Sequence, residues 1–129
     1  MEADGATIDR YKPRGVTRVL RALGASVRGL AGAYREEAAF RQELALAVVV
    51  IPLGLWLGHG AVERVLLVAP VFLILIVELL NSAIEATVDR IGFERHTLAG
   101  LAKDIGSAAV FMSFVLMISV WLIVLLPRA

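Results

Sequence analysis

Apolar residues form three long runs along the chain that are almost free of charge. Leu44–Val62 is a run of 19 residues with no charged side chain, and Ile105–Pro127 is a run of 23 with none. Between them, Val65–Ile84 has 20 residues and a single charge, Glu78. At about 1.5 Å of rise per residue, 19 residues make roughly 28 Å of helix, close to the thickness of a bilayer's hydrocarbon core. The pattern predicts three membrane-spanning helices, over about 44–62, 65–88 and 105–126.

A helical period of a different kind precedes these runs. Seven apolar residues between Val16 and Tyr34 recur at steps of three and four, which places them on one helical face. Five arginines occupy the opposite face, at Arg14, Arg18, Arg21, Arg28 and Arg35. The pattern predicts an amphipathic helix over about 14–36, which lies on an anionic membrane surface or packs on the bundle with a solvated basic face. Residues 1–13 are polar and are predicted to be a disordered extension of a single domain spanning 14–129.

Composition agrees with a membrane protein and excludes other classes. Of 129 residues, 59% are hydrophobic and 19% are charged, and the mean hydropathy is +0.80. There is no cysteine, which excludes a disulfide scaffold, a thiolate zinc site and a cysteine nucleophile. The net charge of +1 gives no indication of a nucleic-acid partner. The chain is therefore interpreted as a small all-α integral membrane protein.

Basic residues are distributed unevenly about the three spans, and this asymmetry predicts orientation. Eight lysines and arginines precede the first span and three lie between the second and third, whereas Arg64 and Arg128 are alone on the other side. Because basic residues collect on the cytoplasmic side, the amino terminus and the Asp89–Asp104 segment are expected there. Gly58, His59 and Gly60 are expected to form a tight outer turn between the first two spans.

Acidic and amide side chains line one stripe at the end of the second span. Glu78, Glu85 and Asp89 are separated by seven and eleven residues, which returns nearly to the same helical face, with Asn81 and Ser82 beside it. An acidic residue inside an apolar span costs about 2.5 to 3.5 kcal/mol on insertion scales, so Glu78 is a candidate general base. The alternative is a structural carboxylate that pairs with an arginine or caps a helix contact.

Two further carboxylates are candidates for a metal site. Glu37 lies on the apolar side of the amphipathic helix if that helix keeps its phase, and Glu85 lies near the same end of the membrane. Two carboxylates together with water and phosphate oxygens are what Mg²⁺ prefers. Asp89 is interpreted as an ordinary interfacial charge next to Arg90.

Three motifs together resemble the bacterial integral-membrane diacylglycerol kinase family. They are Glu37-Ala-Ala-Phe-Arg-Gln-Glu43, Glu78-x-x-Asn81-Ser82-Ala-Ile-Glu85-Ala-x-Val-Asp89-Arg90, and Lys103-Asp104-x-Gly106-Ser107-Ala-Ala. The resemblance runs from about Arg18 to Trp121. It implies a homotrimer of three-span subunits in the bacterial inner membrane, with composite sites at subunit boundaries on the cytoplasmic side. It also implies transfer of the γ-phosphate of Mg-ATP to diacylglycerol, which gives phosphatidic acid.

The resemblance further implies roles for individual positions. Glu78 matches the catalytic base and Asn81 the polar residue beside it, while Glu37 and Glu85 match the metal-holding carboxylates. The nucleotide-contacting positions, besides those two carboxylates, are Arg18, Glu94, Arg95, His96, Lys103 and Asp104. The positions near the lipid substrate, besides Arg18 and Glu78, are Ala39, Phe40, Arg41, Gln42, Glu43 and Ser107.

Two alternatives differ from this reading in substrate or in class. Relatives with the same catalytic residues phosphorylate undecaprenol, and the Glu-Ala-Ala-Phe-Arg-Gln-Glu segment favours diacylglycerol over it. A three-span assembly subunit without chemistry is the other alternative, and it would leave Glu78 without a purpose.

Overall fold

The computed structural model describes residues 14–92 and 97–128, and these fold as four α-helices and a closing 3₁₀ turn. Three of the helices, with the turn extending the last, are long and apolar enough to cross a membrane. The predicted all-α membrane protein is thus confirmed, whereas the extension predicted over 1–13 lies outside the described residues. The elements are α1 (Val16–Glu36), α2 (Ala38–Leu57), α3 (Gly60–Ile91), α4 (Thr97–Leu125) and the turn Leu126–Arg128.

The amphipathic helix α1 belongs to a compact unit that ends at Glu36, and α2 to α4 form a second unit from Glu37 onward. None of the residues of α1 is buried, and its predicted apolar face from Val16 to Tyr34 is exposed. Glu37 has an extended backbone, with φ −114° and ψ 107°, so the helix is interrupted there. The direction of the Glu37 side chain is therefore not set by the phase of α1, in contrast to the expectation from the sequence.

Helices α2 and α3 form an antiparallel hairpin through a very short turn. α2 ends at Leu57, five residues before the charge-free run ends, and Gly58 and His59 are the only residues between the helices. Arg64 turns back and donates from Nε to the carbonyl of Leu55 at 3.0 Å. A Cβ at Gly58 would lie 2.9 Å from the backbone nitrogen of Arg64, so this turn requires glycine. The end of the charge-free run therefore does not mark the end of α2.

Helix α4 packs antiparallel to α3, and three contacts define the register. Trp121 donates its indole N–H to the carbonyl of Leu67 at 2.9 Å, and Gly106 lies against Asn81. Lys103 meets Asp89 nearer the start of α4. As the residue numbers rise along α4, the numbers of the residues that they contact on α3 therefore fall.

The apolar core lies along one face of α3. Leu67, Val71 and Ile74 are each less than 2% exposed and follow at steps of four and three. From α2, Phe40 and Ala47 complete this core. At 32 residues, α3 is roughly 48 Å long, which exceeds the hydrocarbon thickness of about 30 Å. At least one end of α3 therefore extends beyond the hydrocarbon.

Candidate active site

The buried face of α3 changes from apolar to polar without changing its period. Beyond Leu67, Val71 and Ile74, the same steps of four and three reach Glu78 and then Asn81. Glu78 is 4% exposed and Asn81 is 8% exposed, so both polar side chains are buried. The candidate site is therefore a continuation of the core, packed on the same face against the neighbouring helices.

Glu78 faces a second buried carboxyl on α2. Gly54 of α2 packs against Leu67 of α3. Glu43 lies eleven residues before Gly54 and Glu78 lies eleven residues after Leu67, and a step of eleven residues returns to the same helical face. Because the two helices are antiparallel, both steps lead in the same direction along the pair. The side chains of Glu43 and Glu78 are within hydrogen-bonding reach, and Glu43 is 8% exposed. Because two carboxylates have no donor between them, a hydrogen bond here requires one proton on the pair. The partner of Glu78 is thus another acid, which lies on the neighbouring helix and is buried with it.

Asn81 connects this carboxyl pair to Glu85. Its Nδ2 donates to Oε1 of Glu85 at 3.4 Å, one helical turn further along α3. Glu85 is half-buried, and its charge, like that of Glu37, acts on Glu78. The site therefore collects four carboxyl groups, and like charges this close are costly unless a proton or a cation offsets them.

The carboxylates of Glu37 and Glu85 suit a magnesium ion by their chemistry. Glu37 begins α2 as its N-cap residue, yet its carboxylate makes no capping hydrogen bond and stays half-buried. Over the described ranges, no group of three or more histidine, cysteine or acidic side chains is arranged to hold a metal. Mg²⁺ is commonly bound by one or two carboxylates with substrate phosphates and water completing its shell, and that is the set these two residues offer.

Lys103 on α4 forms an ion pair with Asp89, with Nζ 2.6 Å from Oδ1. The sequence pattern indicates an ordinary interfacial charge next to Arg90 at Asp89 and does not reveal this partner. The two residues are 14 apart in the chain and come together only because α3 and α4 are antiparallel. The ion pair places a cation at the same end of the unit as the acidic cluster.

The remaining predicted site residues divide by location. Around the start of α2, Phe40 is buried and Ala39, Arg41 and Gln42 are exposed. On α4, Asp104 and Ser107 are exposed on either side of buried Gly106. Arg18 is exposed on α1, in the other unit. The residues outside the described part of the chain are Glu94, Arg95 and His96.

Sequence reasoning missed the position of Glu43 and the part played by Gly106. The family resemblance places Glu43 only in the segment near the lipid, and the apolar run begins one residue later, at Leu44. The signal for its burial is the spacing of Phe40, Glu43, Ala47 and Gly54 at steps of three, four and seven, which is one helical face. Gly106 was part of a motif, but no spacing rule reveals which side chain lies against a glycine.

Comparison with known proteins gives a consistent result over most of the chain. The family model described as prokaryotic diacylglycerol kinase matches residues 24–125. A protein of Escherichia coli strain K12 named diacylglycerol kinase is 50% identical over 111 residues, which cover 86% of this chain and 91% of that protein. Proteins of the same name from Pseudomonas aeruginosa and Helicobacter pylori strain 26695 are 51% and 43% identical, over 87% and 85% of this chain and 91% and 86% of their own lengths.

Proposed function

Because the chain belongs to the prokaryotic diacylglycerol kinase family, we propose that it transfers the γ-phosphate of Mg-ATP to the free hydroxyl of diacylglycerol. The products are phosphatidic acid and ADP. The protein is a membrane-embedded lipid kinase, and its three apolar helices suit a substrate that stays in the bilayer. The observation that carries the proposed mechanism is the pair of buried carboxyls, Glu78 and Glu43, at the end of an apolar core.

Glu78 is the proposed general base. Its carboxylate takes the proton of the lipid hydroxyl as the hydroxyl oxygen bonds to the γ-phosphorus, and the bond from that phosphorus to the bridging oxygen of ADP breaks. The neighbouring Glu43 supports this role, because two carboxyl groups buried side by side carry less charge once Glu78 has taken up a proton. Loss of a buried charge is favourable in surroundings of low polarity. Asn81 is proposed to orient the acidic cluster through its hydrogen bond to Glu85.

Glu37 and Glu85 are the proposed holders of the magnesium ion. When bound, the metal supplies positive charge that neutralises the phosphate oxygens as charge builds up in transfer. Lys103 and Asp104 at the start of α4 are proposed to contact the nucleotide, together with Arg18, Glu94, Arg95 and His96. Lys103 would exchange its ion pair with Asp89 for one with phosphate. Residues 39–43 and Ser107 are proposed to lie along the lipid substrate.

The proposed location is the bacterial inner membrane, with the amino terminus and the acidic cluster on the cytoplasmic side. Basic residues support this orientation, because eleven of thirteen lie in the segments assigned to that side. ATP is available there, and α3 is long enough to extend Glu85 beyond the hydrocarbon. We also propose a homotrimer, which fits the mostly exposed surface of α4, because only 6% of its most apolar 18-residue stretch is buried within one chain.

The decisive experiment is phosphorylation by the purified protein in mixed micelles, with diacylglycerol and undecaprenol offered in parallel. Wild type is expected to form phosphatidic acid, and Glu78→Gln to lose that activity by a factor of about 100 or more. Glu63→Gln is the matched control, since it makes the same change in the first turn of the same helix, remote from the cluster. It is expected to retain activity.

Other products would change the conclusion in defined ways. Undecaprenyl phosphate as the main product would keep the mechanism and replace the substrate. No phosphorylated lipid from either acceptor, in a folded preparation, would reject the kinase mechanism and favour a non-catalytic membrane subunit.

A further inference from the structure

Gly106 is a position in the middle of α4 with no room for a side chain. A Cβ at this residue would overlap Oδ1 of Asn81 and would lie 3.2 Å from its Cγ. The three nearest atoms to that Cβ all belong to the Asn81 side chain. Of the two glycines of α4, Gly100 has open space beside it, whereas Gly106 is buried. The space beside Gly106 is occupied by a single side chain on the neighbouring helix.

Gly106 differs in this respect from Gly54, where the backbone of α2 approaches its neighbours. A Cβ at Gly54 would meet Cβ of Leu67 at 3.1 Å and a ring atom of Trp121 at 3.4 Å, which are side chains of two neighbouring helices. Gly54 therefore serves the packing of helices. Gly106 instead accommodates the carboxamide of Asn81.

The carboxamide of Asn81 has a defined direction but few hydrogen bonds to fix it. Its Nδ2 donates to Glu85 at 3.4 Å, which is a long hydrogen bond. Its Oδ1 is buried and has no hydrogen-bond partner in residues 14–92 and 97–128. The surface of α4 at Gly106 is what lies against that oxygen. Adding a methyl group there would force the amide to rotate away, and Nδ2 would leave Glu85.

We propose that Gly106 is a positioning residue of the active site, which holds the Asn81 carboxamide in the rotamer that pairs with Glu85. The inference rests on the proposed function only in assigning a catalytic consequence, because Glu85 is there a magnesium ligand. The steric relation between Gly106 and Asn81 is independent of what the protein phosphorylates. It can therefore be tested separately from activity.

The chain offers a clean spectroscopic probe, since Asn81 is its one asparagine. Protein labelled with ¹⁵N-asparagine in detergent micelles gives a single side-chain amide pair in a ¹H–¹⁵N spectrum. Gly106→Ala is expected to shift this pair strongly. Gly100→Ala is the matched control on the same helix, because a Cβ there meets nothing within 4 Å, and it should leave the pair in place. An unmoved amide pair in Gly106→Ala would overturn the proposal.

A double variant keeps the test decisive if Gly106→Ala does not fold. In Asn81→Ala, the truncated side chain leaves space for the new methyl group, so Asn81→Ala/Gly106→Ala should unfold at the same temperature as Asn81→Ala alone. Recovery of folding in the double variant supports the proposal. Equal damage from Gly106→Ala in both backgrounds would show that the glycine serves helix packing and would overturn it.

Turnover provides the link to catalysis. Gly106→Ala is expected to lower kcat at least tenfold in the wild-type background and to cause no further loss in Asn81→Ala, with Gly100→Ala at the wild-type rate. Wild-type protein that phosphorylates no lipid would reject the proposed function, while the amide signal would still decide the role of Gly106. Normal kcat in Gly106→Ala with a shifted amide would overturn the catalytic part of the proposal.

Discussion

Glu85 is the carboxylate whose proposed role is easiest to separate from folding. It is half-buried, and it makes one long hydrogen bond, from Asn81. Its removal opens no apolar core and leaves the Glu43–Glu78 pair in place. We expect Glu85→Ala to abolish lipid phosphorylation while the protein still assembles and unfolds at nearly the wild-type temperature, because only the proposed metal ligand is lost.

The measurement is turnover as a function of magnesium concentration, beside size-exclusion chromatography and thermal unfolding in the same detergent. Glu63→Ala removes a carboxylate from the opposite end of α3 and serves as the control for turnover. Wild-type turnover of Glu85→Ala at saturating magnesium would remove Glu85 from the metal role.

How much of the site the sequence can predict depends on whether its residues share a helix. Glu78, Asn81 and Glu85 follow from spacing on α3, because one helix fixes their common face. Glu43 and Gly106 lie on other helices, and their contacts depend on the register between helices, which no period within one helix contains. The structure supplies that register, through Gly54 against Leu67 and Trp121 against the same residue.

Helix packing depends on the small residue at the crossing of α2 with its neighbours. The missing side chain of Gly54 leaves space that Leu67 and Trp121 occupy. Gly54→Leu would place four extra carbons in this space, and overpacking of a core commonly costs about 1 to 3 kcal/mol. We expect a lower unfolding temperature for Gly54→Leu and a smaller decrease for Gly54→Ala.

Denaturant or thermal unfolding in micelles measures this effect. Gly100→Leu is the control, since nothing lies within 4 Å of a Cβ at that position of α4. Equal stability of Gly54→Leu and Gly100→Leu would contradict the close packing of α2 against α3.

At the scale of the helices, the sequence predicts which segments span the membrane but not the residues at which each helix ends. The hydrophobic runs predict three spans, and three are found. The first run extends to Val62, whereas α2 ends at Leu57, because the turn forms from uncharged residues on both sides of His59. Carbonyl groups of the last turn of α2 accept hydrogen bonds from the side chains of Arg64 and Arg128.

Arg128, in the turn that follows α4, contacts the residues around the α2–α3 turn. Arg128 donates to the carbonyl of Leu57 at 2.8 Å and forms an ion pair with Glu63. Glu63 also accepts from the backbone N–H of His59 at 2.6 Å. One guanidinium group thereby links the ends of three helices. The sequence pattern indicates only that Arg128 is a basic residue on the outer side.

We expect Arg128→Ala to lower stability modestly, by about 1 kcal/mol, because the ion pair is partly exposed and the carbonyl of Leu57 keeps access to water. Turnover should stay at the wild-type level, since the acidic cluster lies at the other end of α3. Thermal unfolding and the lipid kinase assay on the same preparation test both statements. Arg128→Lys keeps the charge but not the several N–H donors of the guanidinium group, so its unfolding temperature should lie between those of wild type and Arg128→Ala.

Subunit mixing tests whether a site draws on more than one chain. Glu37, Glu43, Glu78 and Glu85 all belong to the same unit of one chain, whereas Arg18 lies in the other unit. If the composite site implied by the family resemblance holds, Arg18 of one subunit serves the carboxylates of its neighbour. Inactive Glu78→Gln and inactive Arg18→Ala chains, mixed one to one, should then regain activity, because some sites receive both intact parts.

The expected recovery follows from random assembly. A site that takes its carboxylates from one chain and its arginine from the next is intact in about one quarter of cases in a cyclic oligomer. Glu78→Gln mixed with Glu85→Ala is the matched control, since both changes lie on α3 and every set of carboxylates carries one defect. Unfolding, mixing and reassembly in micelles, followed by the phosphorylation assay, gives both values. No recovery with Arg18→Ala would mean that each site takes this arginine from the chain that supplies its base.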